Sequence, residues 1–256
     1  MVLQVNKIPL SVAVITKNEE KNLSRCLESV PFAAEIVILD SGSTDRTEQI
    51  ARQFHARWFV ETWKGYGPQK NSALLKCTHD WVLVLDADER IPSETAESIT
   101  RVLSRNDTAD AYVFKRKNFF HDKWIKYADW WPDEVTRLLK RSSGRYERVT
   151  HESWVTSGKT EKLGCVIEHF SYGSYFDMFR ALNGYSTQLA EQMHSEGKKA
   201  GIADAFFHSF WMFLRNYFLR MGFMAGFDGF MVSFTKAVGT FLKYAKLYEL
   251  EKFRHP

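Results

Sequence analysis

The chain has 256 residues, enough for one large domain or one domain with an appendage. Its 45% hydrophobic and 26% charged residues exclude a disordered chain, and a net charge of +4 is too mild to argue for a nucleic-acid partner. Three scattered cysteines, Cys26, Cys77 and Cys165, form no CxxC pair; this argues against a zinc site or disulfide framework and fits a reducing compartment.

The N-terminal residues lack the layout of a signal peptide, and no window of eighteen uncharged apolar residues predicts a transmembrane helix. Leu10–Ile15 is rich in β-branched residues and reads as a buried strand. A polar turn, Thr16-Lys17-Asn18-Glu19-Glu20, leads into a helix that runs through about Ser29. Glu35–Leu39 is a second strand ending on Asp40. The turn DSGSTD then enters a helix near Asp45–Phe54, with Ser43, Thr44 or Asp45 able to cap it. Arg57–Glu61 is a third short strand, Gly65-Tyr66-Gly67-Pro68 a loop, and Gln69–Cys77 a helix. Trp81–Leu85 is the fourth strand and delivers Asp86, Asp88 and Glu89 at its C-terminal end. This alternation predicts an α/β fold with a mostly parallel sheet and helices on both faces. Right-handed crossovers then set Thr16, Asp40 and Asp86 along one edge. After Leu103 the order changes. Ala111–Phe120, Glu134–Arg141 and Lys162–Phe170 read as further strands of a mixed sheet, and from Ser174 the chain is helical to its end. We expect a catalytic domain over 1–172, with a nucleotide-binding half (1–105) and an acceptor half (106–172), and a helical region over 173–256.

Carboxylates at the C-terminal end of a sheet strand stand where open α/β folds bind ligands. If the segment stays extended, Asp86 and Asp88 point the same way, and two hard oxygen ligands suit Mg²⁺ or Mn²⁺. The competing reading is an acidic helix cap, because Pro92, Ser93 and Glu94 start a helix. In DSGSTD, Gly42 permits a tight turn, and Asp40 could accept hydrogen bonds from a base or a ribose; taken alone, the motif reads better as an Asx or ST turn capping the next helix. No GK[ST] or GxGxxG motif is present.

Four segments in order, SVAVITKNEE, ILDSGSTD, GPQKNSAL and WVLVLDADE, resemble the inverting family-2 glycosyltransferases of GT-A fold. WWPDEVTRLLKR, VTHE and VIEHFSYGSY extend the resemblance to about residue 175, and within the family the sequence is most similar to lipopolysaccharide inner-core β-glucosyltransferases. The resemblance implies a GT-A (nucleotide-diphospho-sugar transferase, Rossmann-like) fold and roles for particular residues. Thr16, Glu19, Asp40, Lys70 and Asn71 would line the uridine site. Asp86 would meet the ribose or the metal's water shell, and Asp88 would hold the Mg²⁺ or Mn²⁺ that bridges the diphosphate of a UDP-sugar. Asp133 would be the base for the acceptor hydroxyl, with Glu134 its rival. Arg137 could reach the diphosphate or serve as a strand-face ion-pair partner. His169 or His151 would complete the metal site, although a lone histidine is more often structural. Trp130 and Trp131 suit a sugar-stacking wall or ordinary core packing.

The last region carries two apolar stripes. Phe206, Phe207, Phe210, Trp211, Phe213, Leu214, Tyr217, Phe218 and Met221 form the first. Phe230, Phe234, Val238, Phe241, Leu242, Ala245 and Tyr248 form the second. Lys198, Lys199, Arg215, Arg220, Lys236, Lys243 and Lys246 flank them. This pattern fits an anionic membrane interface, a hairpin packed on the protein, or a homo-oligomer contact. The expected function is inverting, metal-dependent transfer of a hexose, glucose from UDP-glucose by analogy. The acceptor would be a lipopolysaccharide-core heptose or another lipid-linked acceptor, at the cytoplasmic face of the inner membrane. Transfer to polyprenyl phosphate is one alternative, and a non-catalytic nucleotide-sugar-binding module is another.

Overall fold

A computed structural model describes residues 7–105, 109–147 and 152–253. The chain divides into two compact units. Unit 1 comprises residues 1–116 and 134–169, and unit 2 comprises 117–133 and 170–256.

The elements of unit 1 begin with β1 (Ile8–Thr16), α1 (Leu23–Glu28), β2 (Ala33–Asp40), α2 (Thr47–Gln53), β3 (Arg57–Val60) and α3 (Tyr66–Lys76). β4 (Trp81–Asp86), β5 (Glu89–Arg90) and α4 (Ser93–Leu103) follow. Then come β6 (Ala111–Phe120), β7 (Lys123–Trp124), β8 (Asp133–Lys140), β9 (Gly144–Glu147), β10 (Ser153–Thr156) and β11 (Thr160–Tyr172). β7 lies in unit 2, and β6, β8 and β11 reach the divide. The main sheet runs β3-β2-β1-β4-β8-β6-β11-β5, with β7 paired to β6. β3, β2, β1 and β4 are parallel, and β8 joins β4 antiparallel. The mixed sheet expected after Leu103 is therefore present, flanked by helices.

The period-two alternation of the central strands builds a core on each face of this sheet. Val12 and Val14 of β1, Ile38 of β2, and Leu83 and Leu85 of β4 point to one face, under α1 and α4 through Leu23, Leu27, Ile99 and Val102. Ala13, Ile15, Val37, Leu39, Val82 and Val84 point to the other, under α3 through Ala73 and Leu74. A strand buried on both faces is apolar at nearly every position, with Ser11 of β1 a buried exception, which is why these segments read as near-continuous runs. Each buried Val, Leu or Ile contributes about 1.5–3 kcal/mol. An acid at Val14, which is fully buried, would strand a charge in the middle strand.

Two local expectations change. Tyr66–Pro68 is the first turn of α3 rather than a loop. Proline is tolerated there because the first helical N–H groups have no partner within the helix. The acidic tip of β4 is not extended either: β4 stops at Asp86, Ala87 and Asp88 form a turn, and the chain resumes as β5. The period-two argument for Asp86 and Asp88 therefore fails, and their side chains have different partners.

Unit 2 holds α5 (Tyr175–Ser195), α6 (Ile202–Leu214) and α7 (Gly226–Phe253). A π-helical turn over Arg215–Leu219 and a 3₁₀ turn over Gly222–Ala225 link α6 to α7. Ser174 caps α5 by accepting the Asp177 N–H at 3.1 Å. The two predicted stripes are not the buried faces. α6 buries only Ala205, and α7 buries Gly229, Val232, Ser233, Thr235, Ala237 and Leu247. Small residues let helices approach closely: a Cβ on Gly239 would meet Leu182 Cδ1 of α5 at 2.4 Å. Among the described residues, no helix is long and apolar enough to cross a membrane.

Candidate active site

The parallel register sets Thr16 opposite Asp40 and Ile15 opposite Asp86, so the C-terminal ends of β1, β2 and β4 share one edge. Thr16 Oγ1 donates to Asp40 Oδ1 at 2.9 Å. Asp40, 1% exposed, also accepts the N–H groups of Gly42 and Ser43 at 2.8 and 2.7 Å and the Ser43 hydroxyl at 2.5 Å. Its carboxylate thus organises the DSGSTD loop as an Asx turn, and Gly42, at φ +90°, occupies backbone space that favours glycine. Asn18 ties the loop after β1 to the loop after β2: its N–H donates to Ser43 Oγ at 2.7 Å, and its Oδ1 accepts the Thr44 N–H at 2.8 Å.

Glu19 follows in the same loop. Its N–H donates to Thr47 Oγ1 at 2.8 Å, and its carboxylate accepts from Asn22 Nδ2 at 3.0 Å. Burial pushes its carboxyl up to about 7 against the lowering effect of Asn22, and the charges of Asp88, Asp45 and Asp86 add to the rise. Acids from the loop after β2 and from the tip of β4 therefore bear on one carboxyl at the sheet edge.

Asp86 belongs to a compact charge network. Lys70 Nζ, fully buried on α3, lies 2.8 Å from Asp86 Oδ1 and 2.6 Å from Glu152 Oε1. Arg137, 3% exposed on β8, donates to Asp86 Oδ2 at 2.5 Å and to Glu89 Oε1 at 2.7 Å. Arg116 of β6 reaches the same Glu89 oxygen at 3.1 Å. Burial alone would raise the Asp86 carboxyl, but Arg137 and Lys70 outweigh it and hold the group well below the usual carboxylate range. Arg137 thus pairs with two carboxylates at the tip of β4. Asn71 brackets the main chain of Tyr146 on β9, donating to its carbonyl and accepting its N–H, each at 2.8 Å. Glu134 lies at the surface, paired with Lys162 at 2.7 Å.

Asp88 has a different partner. Its Oδ2 lies 3.2 Å from His169 Nε2. β5 makes this meeting possible, because it pairs with β11 and sets Glu89 opposite His169. Glu89 is fully buried and accepts the Asp86 N–H at 3.1 Å, which closes the turn that carries Asp88. The carboxylate suits a Mg²⁺ or Mn²⁺ ion that takes its remaining ligands from phosphates and water, and the imidazole beside it favours the softer Mn²⁺ of the two. Among the described residues, no group of three His, Cys, Asp or Glu side chains could hold a metal without such help. The alternative ligand His151 lies outside the described residues.

In unit 2, Asn118 Nδ2 donates to Asp133 Oδ2 at 3.0 Å and to the Trp130 carbonyl at 2.9 Å, which fixes the acid beside the tryptophan pair. Trp131 meets Trp124 edge to face at 5.1 Å, and Lys117 and Lys126 lie over the Trp124 ring at 4.9 and 4.4 Å. The sequence reading attaches no role to Glu89, Arg116, Asn118 or Gln69. Gln69 is fully buried, and its Nε2 donates to Ser41 Oγ at 3.2 Å beside the Asp40 loop. The signal for it was its place in GPQKN, next to Lys70. Arg116 and Asn118 had none beyond an alternating strand.

Residues 11–162 match the model of the family described as Glycosyl transferase family 2. The lipopolysaccharide core biosynthesis glycosyltransferase LpsC of Rhizobium meliloti is 33% identical, over 96% of this chain and 94% of that protein. An uncharacterised glycosyltransferase of Rickettsia typhi is 32% identical, over 94% of this chain and 87% of its own length. The crystal structure of S. aureus TarS 1-349 overlaps with a TM-score of 0.48 at 15% identity, covering 96% of this chain and 93% of that one, an overlap too loose to carry an argument.

Proposed function

The chain belongs to glycosyl transferase family 2 and is a glycosyltransferase of GT-A fold; from that premise we propose that it transfers a hexose, with inversion, from a UDP-sugar to a lipopolysaccharide-core or similar lipid-linked acceptor. The acceptor class follows the name of the Rhizobium meliloti relative, aligned over nearly the whole chain. The donor class follows what the family resemblance implies for Thr16, Glu19, Asp40, Lys70 and Asn71.

The observation that carries the reading is the Asp88–His169 pair at 3.2 Å, on the turn that leaves β4. Asp88 and His169 would hold the cation, which when bound offsets the negative charge that grows on the departing diphosphate. The loops around Thr16, Asp40 and Glu19 receive the nucleoside. The Lys70–Asp86–Arg137–Glu89 network acts one step back. With its cations and acids already paired, it fixes the tip of β4 and, through β5, the position of His169. Asp133 takes the proton from the acceptor hydroxyl as that oxygen attacks the anomeric carbon. Asn118 donates to Asp133 Oδ2 and so orients the carboxylate.

The test is a screen of UDP-sugars against purified, truncated lipopolysaccharides, with determination of the linkage formed. The proposal expects one donor, glucose by analogy, to give a product of inverted anomeric configuration. Retention of configuration, or hydrolysis without transfer to any lipid-linked acceptor, would overturn it.

A further inference from the structure

The corner between α6 and α7 is a tightly built piece of structure that presents apolar side chains to the outside. Phe207, Phe210, Phe218, Leu219, Phe223 and Phe227 are 69, 64, 53, 67, 49 and 66% exposed. Such exposure in a frayed loop would mean little, but here the backbone beneath is locked. A Cβ on Gly229 would fall 1.9 Å from the Gly222 carbonyl oxygen, and one on Gly222 would fall 2.7 Å from Ser233 Oγ and 2.8 Å from the Asn216 carbonyl oxygen. Asn216 is fully buried and donates to the Met212 carbonyl at 2.9 Å. Lys123 donates to the Ala225 carbonyl at 3.1 Å and to Asp228 at 2.8 Å. The rings are therefore held outward by a packed support, and contiguous exposed apolar surface of this kind marks an interaction site.

We infer that this corner, residues 205–227, docks on the surface of an anionic lipid bilayer. Charge selects the occupant. The 23 residues from Ala205 to Phe227 contain no Asp or Glu and two arginines, Arg215 and Arg220. Both guanidinium groups share a single acid, Asp129, at 3.1 and 2.9 Å, which leaves positive charge in excess beside the rings. Aromatic side chains edged by arginine suit the headgroup boundary of an anionic membrane. Trp211, half exposed on α6, belongs to the residue type enriched at that boundary. A second copy of the chain fits less well: in a two-fold contact the same patch faces itself, bringing arginines together with no acid of the stretch to meet them. At 13 residues α6 is too short to span, so the element lies in the interface plane. The inference is independent of the transfer chemistry.

Flotation of the full-length protein with phosphatidylglycerol/phosphatidylcholine vesicles tests it. The wild type is expected to float with the anionic vesicles, less with phosphatidylcholine alone, and to be released by salt. Phe207→Glu and Leu219→Glu, both at outward positions, should each lower partitioning by about tenfold or more. Leu75→Glu, at a 78% exposed leucine in unit 1, should leave it unchanged. Wild-type protein that stays with the soluble fraction at every lipid concentration would overturn the inference, as would the two corner variants floating like wild type. A dimer dissociated by the corner substitutions, with no vesicle binding, would assign the face to self-association instead. Circular dichroism confirms that each variant is folded, and transferase activity on a delipidated acceptor reports separately on the catalytic reading.

Discussion

Replacing Lys70 with methionine keeps the length of the side chain and removes its charge. Lys70 is fully buried between Asp86 and Glu152, so the variant leaves Glu152 without its buried cation and Asp86 with Arg137 and the more distant Arg116 at 4.0 Å. Removing one partner of a buried ion pair costs roughly 3–5 kcal/mol. Asp86 and Glu152 keep 27 and 16% of their side chains exposed, so water recovers part of the loss, and we expect the lower figure, about 3 kcal/mol. That corresponds to a fall in melting midpoint of roughly 6–12 °C for a chain of this size. Pairing the change with Glu152→Gln removes the orphaned charge, so the double variant should recover about 1–2 kcal/mol relative to the sum of the single changes. Thermal unfolding followed by circular dichroism measures all four proteins. A midpoint drop below about 2 °C for Lys70→Met, or strict additivity in the cycle, would refute the view that this network is a coupled buried unit.

Glu19→Gln should change the pH dependence of stability. The folded state raises the Glu19 carboxyl from 4.5 to about 7, so its stabilising contribution is complete below pH 4.5 and is lost as pH rises through 7. Relative to wild type, the variant should gain about 2–3 kcal/mol between those limits in denaturant titrations, and a flat difference would contradict the shift. Asp133→Asn should lower kcat by about 10²–10⁴-fold with the donor KM unchanged in steady-state assays. Full activity would point to an acceptor that is already anionic, such as a polyprenyl phosphate. Gly229→Ala places a methyl 1.9 Å from a backbone oxygen and should cost about 1–3 kcal/mol in chemical denaturation. A neutral result would show that the α6–α7 corner is not tightly built.

The parallel half of the fold was legible because its strands are buried on both faces. Segments such as Val12–Ile15 and Trp81–Leu85 are apolar at every position, and turn residues follow each of them. The alignment of Thr16, Asp40 and Asp86 on one edge followed from crossover handedness alone, and the register has it so. Three things were hidden, each for a physical reason. The turn at Ala87–Asp88 is closed locally by Glu89 accepting the Asp86 N–H, but it depends also on β11 returning to pair with β5, a contact about eighty residues away in sequence. The absorption of Arg137 into Asp86 and Glu89 is likewise non-local, since an arginine on a strand reads the same whether it meets a carboxylate or a phosphate. The buried face of α7 is made of Gly229, Val232, Ser233, Thr235, Ala237 and Leu247, of which the small and polar four are residues that hydrophobic periodicity passes over in favour of the larger Phe230 and Phe234. Small side chains win there because close approach of helices buries more surface than a bulky side chain would.

The central claim is that Asp88, with His169, holds a divalent ion against the diphosphate of an activated sugar. Titration calorimetry of UDP into the full-length protein, with and without Mn²⁺, tests it most directly, using wild type and Asp88→Ala. The account predicts that Mn²⁺ tightens UDP binding to the wild type and that the alanine variant loses this gain while retaining its metal-free affinity for UDP. An equal gain in both proteins, or none in the wild type, would contradict it.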